Sequence, residues 1–197
     1  MNQMAGSDKH AVAQAVHDLG AAMWFGGTVM GVAGVNRAGR DLSEGIDRIR
    51  ASKAAWGRFS MLQWAGIAAT MLAGLQLTRT SAERLAYQRG FGAVGMVKAG
   101  VVAAGALATA YSAFCGAKIA ALAEEYHDQQ KRIEVVDATT PTPQTPPELA
   151  RWQRRQRVAQ YLVPLLAGAN IAGGAYLVQS YRPAATAKGF LSRLRRS

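Results

Sequence analysis

Residues 99–117 read AGVVAAGALATAYSAFCGA and contain no charged side chain. They form the centre of an apolar segment at 91–117, and three similar segments lie at 11–35, 59–78 and 158–181. A helix needs roughly 20 mostly apolar residues to cross about 30 Å of hydrocarbon. Each segment is therefore long enough to span a bilayer. The sequence predicts an all-α fold, a four-transmembrane-helix bundle that forms one integral membrane domain over the whole chain.

Charge is concentrated between these segments and at the chain ends. The 23 basic and 12 acidic residues give a net charge of +11. So strong a basic balance is also typical of nucleic-acid-binding proteins. Here, however, the cations flank the spans, where they meet lipid headgroups. The pattern therefore favours the lipid bilayer and anionic headgroups as partners, and no nucleic acid.

The connecting segments predict short elements at the membrane surface. Residues 41–50 (DLSEGIDRIR) predict a short amphipathic interfacial helix, and 122–134 predict a polar extension of the third span. A Pro-rich cytoplasmic linker at 138–147 should be extended and exposed. A basic helix at 148–157 then leads into the fourth span. It offers four arginines to anionic lipid: Arg151, Arg154, Arg155 and Arg157.

The distribution of Lys and Arg predicts the orientation. Four spans place both termini and the 79–90 connection on one side with nine basic residues. The 36–58 and 118–157 connections share the other side with thirteen, although the basic tail argues the other way. The richer side is expected to be cytoplasmic. We therefore predict a multi-pass protein of the bacterial plasma membrane with its termini outside.

Small residues at intervals of four predict where the spans pack, because they allow close approach of helix backbones in lipid. The third span carries the longest such stripe. The residues expected at helix contacts are Gly27, Gly31, Gly66, Gly74, Gly100, Ala104, Ala108, Ser112 and Gly116.

Three ionisable residues interrupt the apolar spans: His17, Asp18 and Lys98. Asp18 lies 36 − 18 = 18 residues from Asn36, about 27 Å along a helix, and Lys98 lies 118 − 98 = 20 residues from Lys118, about 30 Å. The two side chains should thus reach the outer boundary at similar height, where they can pair.

Three interpretations of this trio remain open. It can form an outward-facing site for an ion, a proton or a small ligand, the usual hypothesis for intramembrane ionisable groups. Lys98 can instead extend to the headgroups while His17 and Asp18 start the helix in water. The residues can also form a purely structural ion pair. Asn170, an amide within the fourth span, is either a hydrogen-bonding partner between helices or a further ligand-binding residue.

The sequence offers little for a metal, a cofactor or catalysis. His17 and His127 are predicted at opposite membrane surfaces and cannot share one haem iron. Cys115 is the only cysteine, and no Cys or Met cluster has copper-ligand spacing. No phosphate-binding glycine loop or nucleophile–base motif is present. We therefore expect no metal, no cofactor and no enzymatic activity.

The first span contains VHDLG at 16–20 and WFGG at 24–27. This spacing resembles the first helix of copper-resistance-D-like membrane proteins and implies a copper-handling role. The metal-binding side chains of the later helices are absent here. The same motifs, Lys98 ahead of ATAYS at 108–112, and the Thr-Pro-rich segment ahead of QRRQ resemble a group of uncharacterised four-span membrane proteins from actinobacteria. That resemblance covers most of the chain and implies the same architecture, without an activity.

Sequence alone favours a non-enzymatic function. The preferred hypothesis is a small accessory or scaffold subunit of a larger membrane assembly, in contact with a membrane-protein partner or a second copy of itself. The alternative is a small transporter or ligand-binding membrane protein that uses His17, Asp18 and Lys98. A redox or copper-handling component is a weaker alternative.

Overall fold

The computed structural model describes the backbone of residues 2–80 and 91–194 and the side chains of 10–79 and 94–176. Within these ranges it contains four long helices: α1 (Asn2–Met30), α3 (Gly45–Thr80), α4 (Phe91–Asp128) and α5 (Pro147–Leu194). The all-α fold is confirmed. The first two residues of the predicted 79–90 connection, Arg79 and Thr80, belong to α3. The rest of that connection, 81–90, lies outside the described residues.

Short elements join the long helices on one side of the bundle. A π-helical turn (Gly31–Val35), α2 (Asn36–Ala38) and a 3-10 turn (Gly39–Asp41) continue α1. Between α4 and α5 lies an antiparallel hairpin of β1 (Val135–Asp137) and β2 (Thr140–Pro141).

The helices form two closely packed pairs. α1 packs along α3, and α4 packs along α5; contacts between α1 and α5 and between α3 and α4 join the pairs. A buried apolar cluster at the centre takes side chains from every long helix: Trp24, Ile67, Val102, Val163 and Ala167. The bundle core therefore sits around Trp24, which is fully buried.

Two helices are long and apolar enough to cross a membrane within the described residues: Val94–Asp128 and Pro147–Tyr176. Only 22% and 28% of their most apolar windows are buried inside the protein. The described parts of α1 and α3 do not meet the same criterion of length and hydropathy. In α3, the glycines and the amide side chains of Gln63 and Gln76 lower the mean hydropathy.

The hairpin corrects the prediction of an exposed linker at 138–147. Ala138, Thr139 and Thr145 are all buried. On α5, Gln153 donates to the carbonyl oxygens of Asp137 and Ala138 at 3.3 and 3.2 Å. Pro141, Pro143 and Pro146 lie outside helix and Pro147 begins α5, but partners distant in sequence fold the segment onto the bundle.

Arg40 fixes the hairpin from the opposite side. Its Nε and Nη2 donate to Oδ2 of the buried Asp137 at 3.0 and 2.8 Å. The backbone N–H and the hydroxyl of Thr139 donate to Oδ1 at 2.9 and 3.1 Å. Burial alone would raise the pKa of Asp137, but these hydrogen bonds outweigh it and lower that pKa below its ordinary value of 3.8.

The predicted interfacial helix at 41–50 is not a separate element. Asp41 ends the 3-10 turn, and residues from Gly45 onward belong to α3. Ile46 and Ile49 are buried against the hairpin and the end of α4 rather than facing lipid. The polar extension predicted for 122–134 is also shorter, since α4 ends at Asp128 and Gln130 adopts a positive φ of 56°.

Close helix approaches occur at glycines of α1 and α3. A Cβ on Gly20 would lie 2.7 Å from the Gly66 carbonyl oxygen, and one on Gly66 would lie 2.8 Å from the Gly20 oxygen. Gly27 and Gly31 accommodate the rings of Phe59 and Trp56 on α3. Because no side chain fits between them, the backbones of α1 and α3 touch directly.

The small-residue stripe predicted on the third span does not lie wholly at helix contacts, because its first two residues face outward. Gly100 and Ala104 are exposed, and a Cβ on Gly100 would meet no atom within 4 Å. The tight contact of α4 is at Gly105, where a Cβ would lie 2.5 Å from the Trp24 ring. An interval of four cannot distinguish the inner from the outer face when small residues are abundant on both.

Candidate functional site

His17 lies between the other two ionisable residues predicted from the sequence. Its Nδ1 is 3.0 Å from Oδ1 of Asp18, and its Nε2 is 3.1 Å from Nζ of Lys98. The His17 side chain is only 3% exposed, whereas that of Asp18 is 61% exposed. The predicted Asp18–Lys98 pair is thus bridged by an imidazole, and we call these three residues the Asp-His-Lys chain.

The two partners of the imidazole favour one tautomer when Lys98 is an ammonium. A Lys98 ammonium has only hydrogens to offer, so Nε2 of His17 must accept from it. The single proton of the neutral ring is then on Nδ1, which donates to the Asp18 carboxylate. With Lys98 charged and His17 neutral, the three residues form a series of carboxylate, neutral imidazole and ammonium.

α1 and α4 supply the three residues of this chain, and α3 and α5 border it. On α3, a Cβ at Gly74 would lie 3.5 Å from Cδ2 of His17, an ordinary contact distance, so this residue borders the imidazole. On α5, a Cβ at Gly174 would lie 3.4 Å from Nζ of Lys98, so this residue borders the lysine. The sequence did not single out Gly174, because it shows no signal beyond one more glycine in a glycine-rich helix.

Gln14 orients the exposed end of the chain. Its Nε2 donates to both carboxylate oxygens of Asp18 at 2.9 Å. The two residues are one helical turn apart, so the spacing of four was the signal that could have revealed this partner. The Asp18 carboxylate is thereby held facing the imidazole while it stays open to solvent.

The Asp-His-Lys chain can exchange a proton with solvent, and this exchange changes the contact between His17 and Lys98. If His17 gains a proton, Nε2 becomes a donor and no longer accepts from the ammonium. Two like charges at this separation repel, so Lys98 must then lose a proton or move away. Lys98 also keeps further N–H groups that suit a carboxylate or carbonyl oxygen of a ligand.

Asn170 lies apart from these contacts. It is fully buried on α5, four residues before Gly174, and neither amide atom has a hydrogen-bond partner within the described residues. Its position one turn from Gly174 places it on the same helix face, towards the centre of the bundle.

Sequence reasoning missed a cavity on the other side of Trp24. It has a volume of about 240 Å³ and is lined by Thr28, Gln63, Thr109 and Gln156 among others. Ser112, predicted only as a packing residue, accepts a hydrogen bond from Gln156 there.

The four predicted lipid-facing arginines are all exposed, and Arg155 lies 4.9 Å from the centre of the Trp152 ring.

Among the described side chains, 10–79 and 94–176, no three His, Cys, Asp or Glu residues are grouped so that they could hold a metal ion. The chain matches no family model, no curated protein and no solved structure.

Proposed function

We propose that this chain is a four-span integral membrane protein that binds a small ligand at an outward-facing site made by Asp18, His17 and Lys98. It is thus a small transporter or ligand-binding membrane protein rather than an enzyme. The observation that carries the proposal is the buried imidazole hydrogen-bonded to Asp18 on one side and to Lys98 on the other.

The apolar exterior supports the membrane location. Large apolar side chains are exposed along every long helix, including Leu19, Met61, Leu107 and Leu165. In water so extensive an apolar surface would promote aggregation, whereas lipid solvates it. The two most apolar helices are mainly exposed, unlike the core helices of soluble proteins. With the termini outside, the Asp-His-Lys chain faces the outer surface.

Burial and hydrogen bonding support a site over mere extension of Lys98 to the headgroups. A lysine that extends to water leaves its ammonium hydrated. Here Nζ instead approaches the buried His17 and the backbone of Gly174. Such an arrangement places a cation, an acceptor and a solvent-exposed carboxylate around one point. A small anionic or carbonyl-bearing ligand meets these requirements, and protonation of His17 would regulate its binding.

Native mass spectrometry of protein purified in mild detergent from its own membrane tests this function. We expect a bound small molecule on the wild type and on His127→Gln, whose histidine is exposed and distant from the site. Lys98→Leu should lose it, because the ammonium is gone. A protein that carries no small molecule, or one retained in Lys98→Leu, contradicts the proposal.

A second candidate is the accessory or scaffold subunit. The observation that favours it is the outward position of Gly100 and Ala104, since exposed small residues suit close packing of a helix from another subunit. The same purification distinguishes the two functions. A stoichiometric protein partner that dissociates in Gly100→Leu but not in Lys98→Leu would favour the accessory role.

A further inference from the structure

The cavity beyond Trp24 is separate from the Asp-His-Lys chain. Thr28, which lines it, lies 28 − 17 = 11 residues after His17, about 16 Å along α1. The fully buried Trp24 stands between them and packs on Gly105 of α4. A molecule in the cavity therefore has no contact with Lys98.

The cavity opens sideways between α3 and α4. Its exposed lining residues are Lys53, Gly57 and Trp64 on α3 and Ala113 and Ala117 on α4. Apart from Lys53, these residues are apolar or aromatic. In a membrane this opening faces lipid, so the molecules that reach it most directly are those dissolved in the bilayer.

The inner wall of the cavity is rich in hydrogen-bond acceptors. Gln156 is buried, its Nε2 donates to Ser112 at 3.1 Å, and its Oε1 has no partner within the described residues. The hydroxyl of Thr28 donates to the carbonyls of Trp24 and Phe25, and that of Thr109 donates to Gly105. Each hydroxyl oxygen keeps lone pairs that can accept.

An unpartnered buried acceptor destabilises the protein unless some molecule supplies a hydrogen. A charged head is a poor candidate, because no ionisable side chain other than Lys53 at the rim lines the cavity. Most of the lining surface is nevertheless apolar, with Ile49, Ile119 and Val163 contributing to it, although Ser52, Ser60 and Gln63 also line the cavity. These features select a neutral hydroxyl group on an apolar body.

We propose that the cavity binds the hydroxyl end of a neutral membrane amphiphile, which enters between α3 and α4 and donates a hydrogen bond to Oε1 of Gln156. Two sources carry this chemistry: a diacylglycerol, with an alcohol on acyl chains, and an isoprenoid quinol, with a phenolic hydroxyl on a prenyl tail. The volume of about 240 Å³ accommodates the head and the first carbons, and the tail remains in lipid.

Binding of defined probes in phosphatidylcholine nanodiscs, read by native mass spectrometry, tests the proposal. The probes are dioleoylglycerol and a reduced menaquinol, each compared with its O-methyl ether, which keeps the shape and lacks the hydrogen. We expect one of the free hydroxyl compounds to bind with an affinity about tenfold higher than its ether, the effect of one hydrogen bond to a buried acceptor. The probe that binds identifies the source.

Two variants with matched controls locate the site. Gly57→Phe should block the opening, while Gly26→Phe should not; a Cβ at either glycine meets no atom within 4 Å, so both variants are expected to fold. Gln156→Leu should remove the tenfold preference for the hydroxyl compound, whereas Gln129→Leu, at an exposed amide, should keep it. Lys98→Leu should leave this binding unchanged, which separates its failure from that of the outer site.

The proposal is overturned by equal binding of alcohol and ether, by unchanged binding in both Gly57→Phe and Gln156→Leu, or by binding of neither probe. The last result would show that the cavity takes neither class of neutral amphiphile.

Discussion

At the scale of single residues, the protonation of His17 is the most specific consequence of the structure. With Asp18 on one ring nitrogen and Lys98 on the other, both partners favour a proton on Nδ1. The protein has only three histidines, His10, His17 and His127, so the nitrogen signal of each can be assigned by substitution.

We predict that ¹⁵N-histidine NMR shows His17 as the neutral Nδ1–H tautomer. Asp18→Ala and Lys98→Leu should each preserve it, because the remaining partner still favours the same tautomer. The double variant should release the ring to exchange between tautomers. A wild-type His17 with its proton on Nε2 would contradict the proposed chain.

A second prediction concerns the contact between α1 and α3. Gly20→Val places a side chain within 3 Å of the Gly66 carbonyl and forces the helices apart. We expect it to destabilise the bundle by about 1–3 kcal/mol, as overpacking does, and to lower the midpoint of thermal unfolding in detergent. Gly26→Val is the matched control, since a Cβ there contacts nothing. Equal midpoints for the two variants would contradict the close approach.

The three residues of the Asp-His-Lys chain were predicted from the sequence, because charges that interrupt an apolar span are easily detected. Counting residues along the helices placed Asp18 and Lys98 at similar height in the membrane. Gln14, Gly74 and Gly174 complete the surroundings. Of these only Gly74 was expected at a helix contact, and its imidazole neighbour was not. A glycine that borders a side chain of another helix leaves no pattern in its own segment, which is why these contacts needed the structure.

At the scale of elements, the hairpin between α4 and α5 shows where composition misleads. Prolines and threonines at 138–147 have few apolar atoms, which usually indicates an exposed linker. Arg40, Gln153 and Gln160 supply the hydrogen bonds that bury it, yet they lie 97, 16 and 21 residues from their partners. Long-range polar contacts of this kind are not encoded in local composition.

Arg40→Leu should release the hairpin, because it leaves the buried Asp137 carboxylate without its cation. Only the Asp137 side of this ion pair is buried, and the Arg40 side chain is 48% exposed, so the loss is expected to be about 1–2 kcal/mol, below that of a fully buried pair. We expect a lower unfolding midpoint and rapid proteolysis at 129–146. Arg37→Leu removes an exposed arginine three residues before Arg40, and it should change neither the unfolding midpoint nor the rate of proteolysis. Equal protease resistance in the two variants would argue that the ion pair contributes little.

Acid should loosen the same hairpin. Because the folded pKa of Asp137 is below its ordinary value of 3.8, the unfolded carboxyl binds a proton at higher pH than the folded one. The stabilisation is therefore fully present above about pH 4 and is lost as pH falls through the folded pKa. Hydrogen exchange at 135–141, corrected for the intrinsic pH effect, should accelerate over this range.

Asp137→Asn is the control for the acid effect. It should show faster exchange at neutral pH and no additional acceleration in acid, since the titrating group is absent. An acid response of equal size in this variant would assign the effect to another carboxylate.

At the scale of the whole molecule, the polar and apolar surfaces are arranged as expected for a protein in lipid. Ionisable side chains gather near Asp18 at one end and around the hairpin at the other, and apolar side chains cover the helices between them. The sequence predicted the helices well, because long uncharged segments have few alternatives. Their inward faces were less predictable, since alanine and glycine occur on every face.

Cysteine labelling in intact cells tests the central claim, four spans with the Asp-His-Lys chain outside, most directly. In a Cys115→Ser background, Ser7→Cys and Ser81→Cys should react with a membrane-impermeant maleimide added to cells. Arg37→Cys and Gln144→Cys should react only after lysis. The opposite pattern would place His17 on the cytoplasmic side, and labelling of all four positions in cells, or recovery of the protein in a detergent-free supernatant, would contradict the four-span architecture.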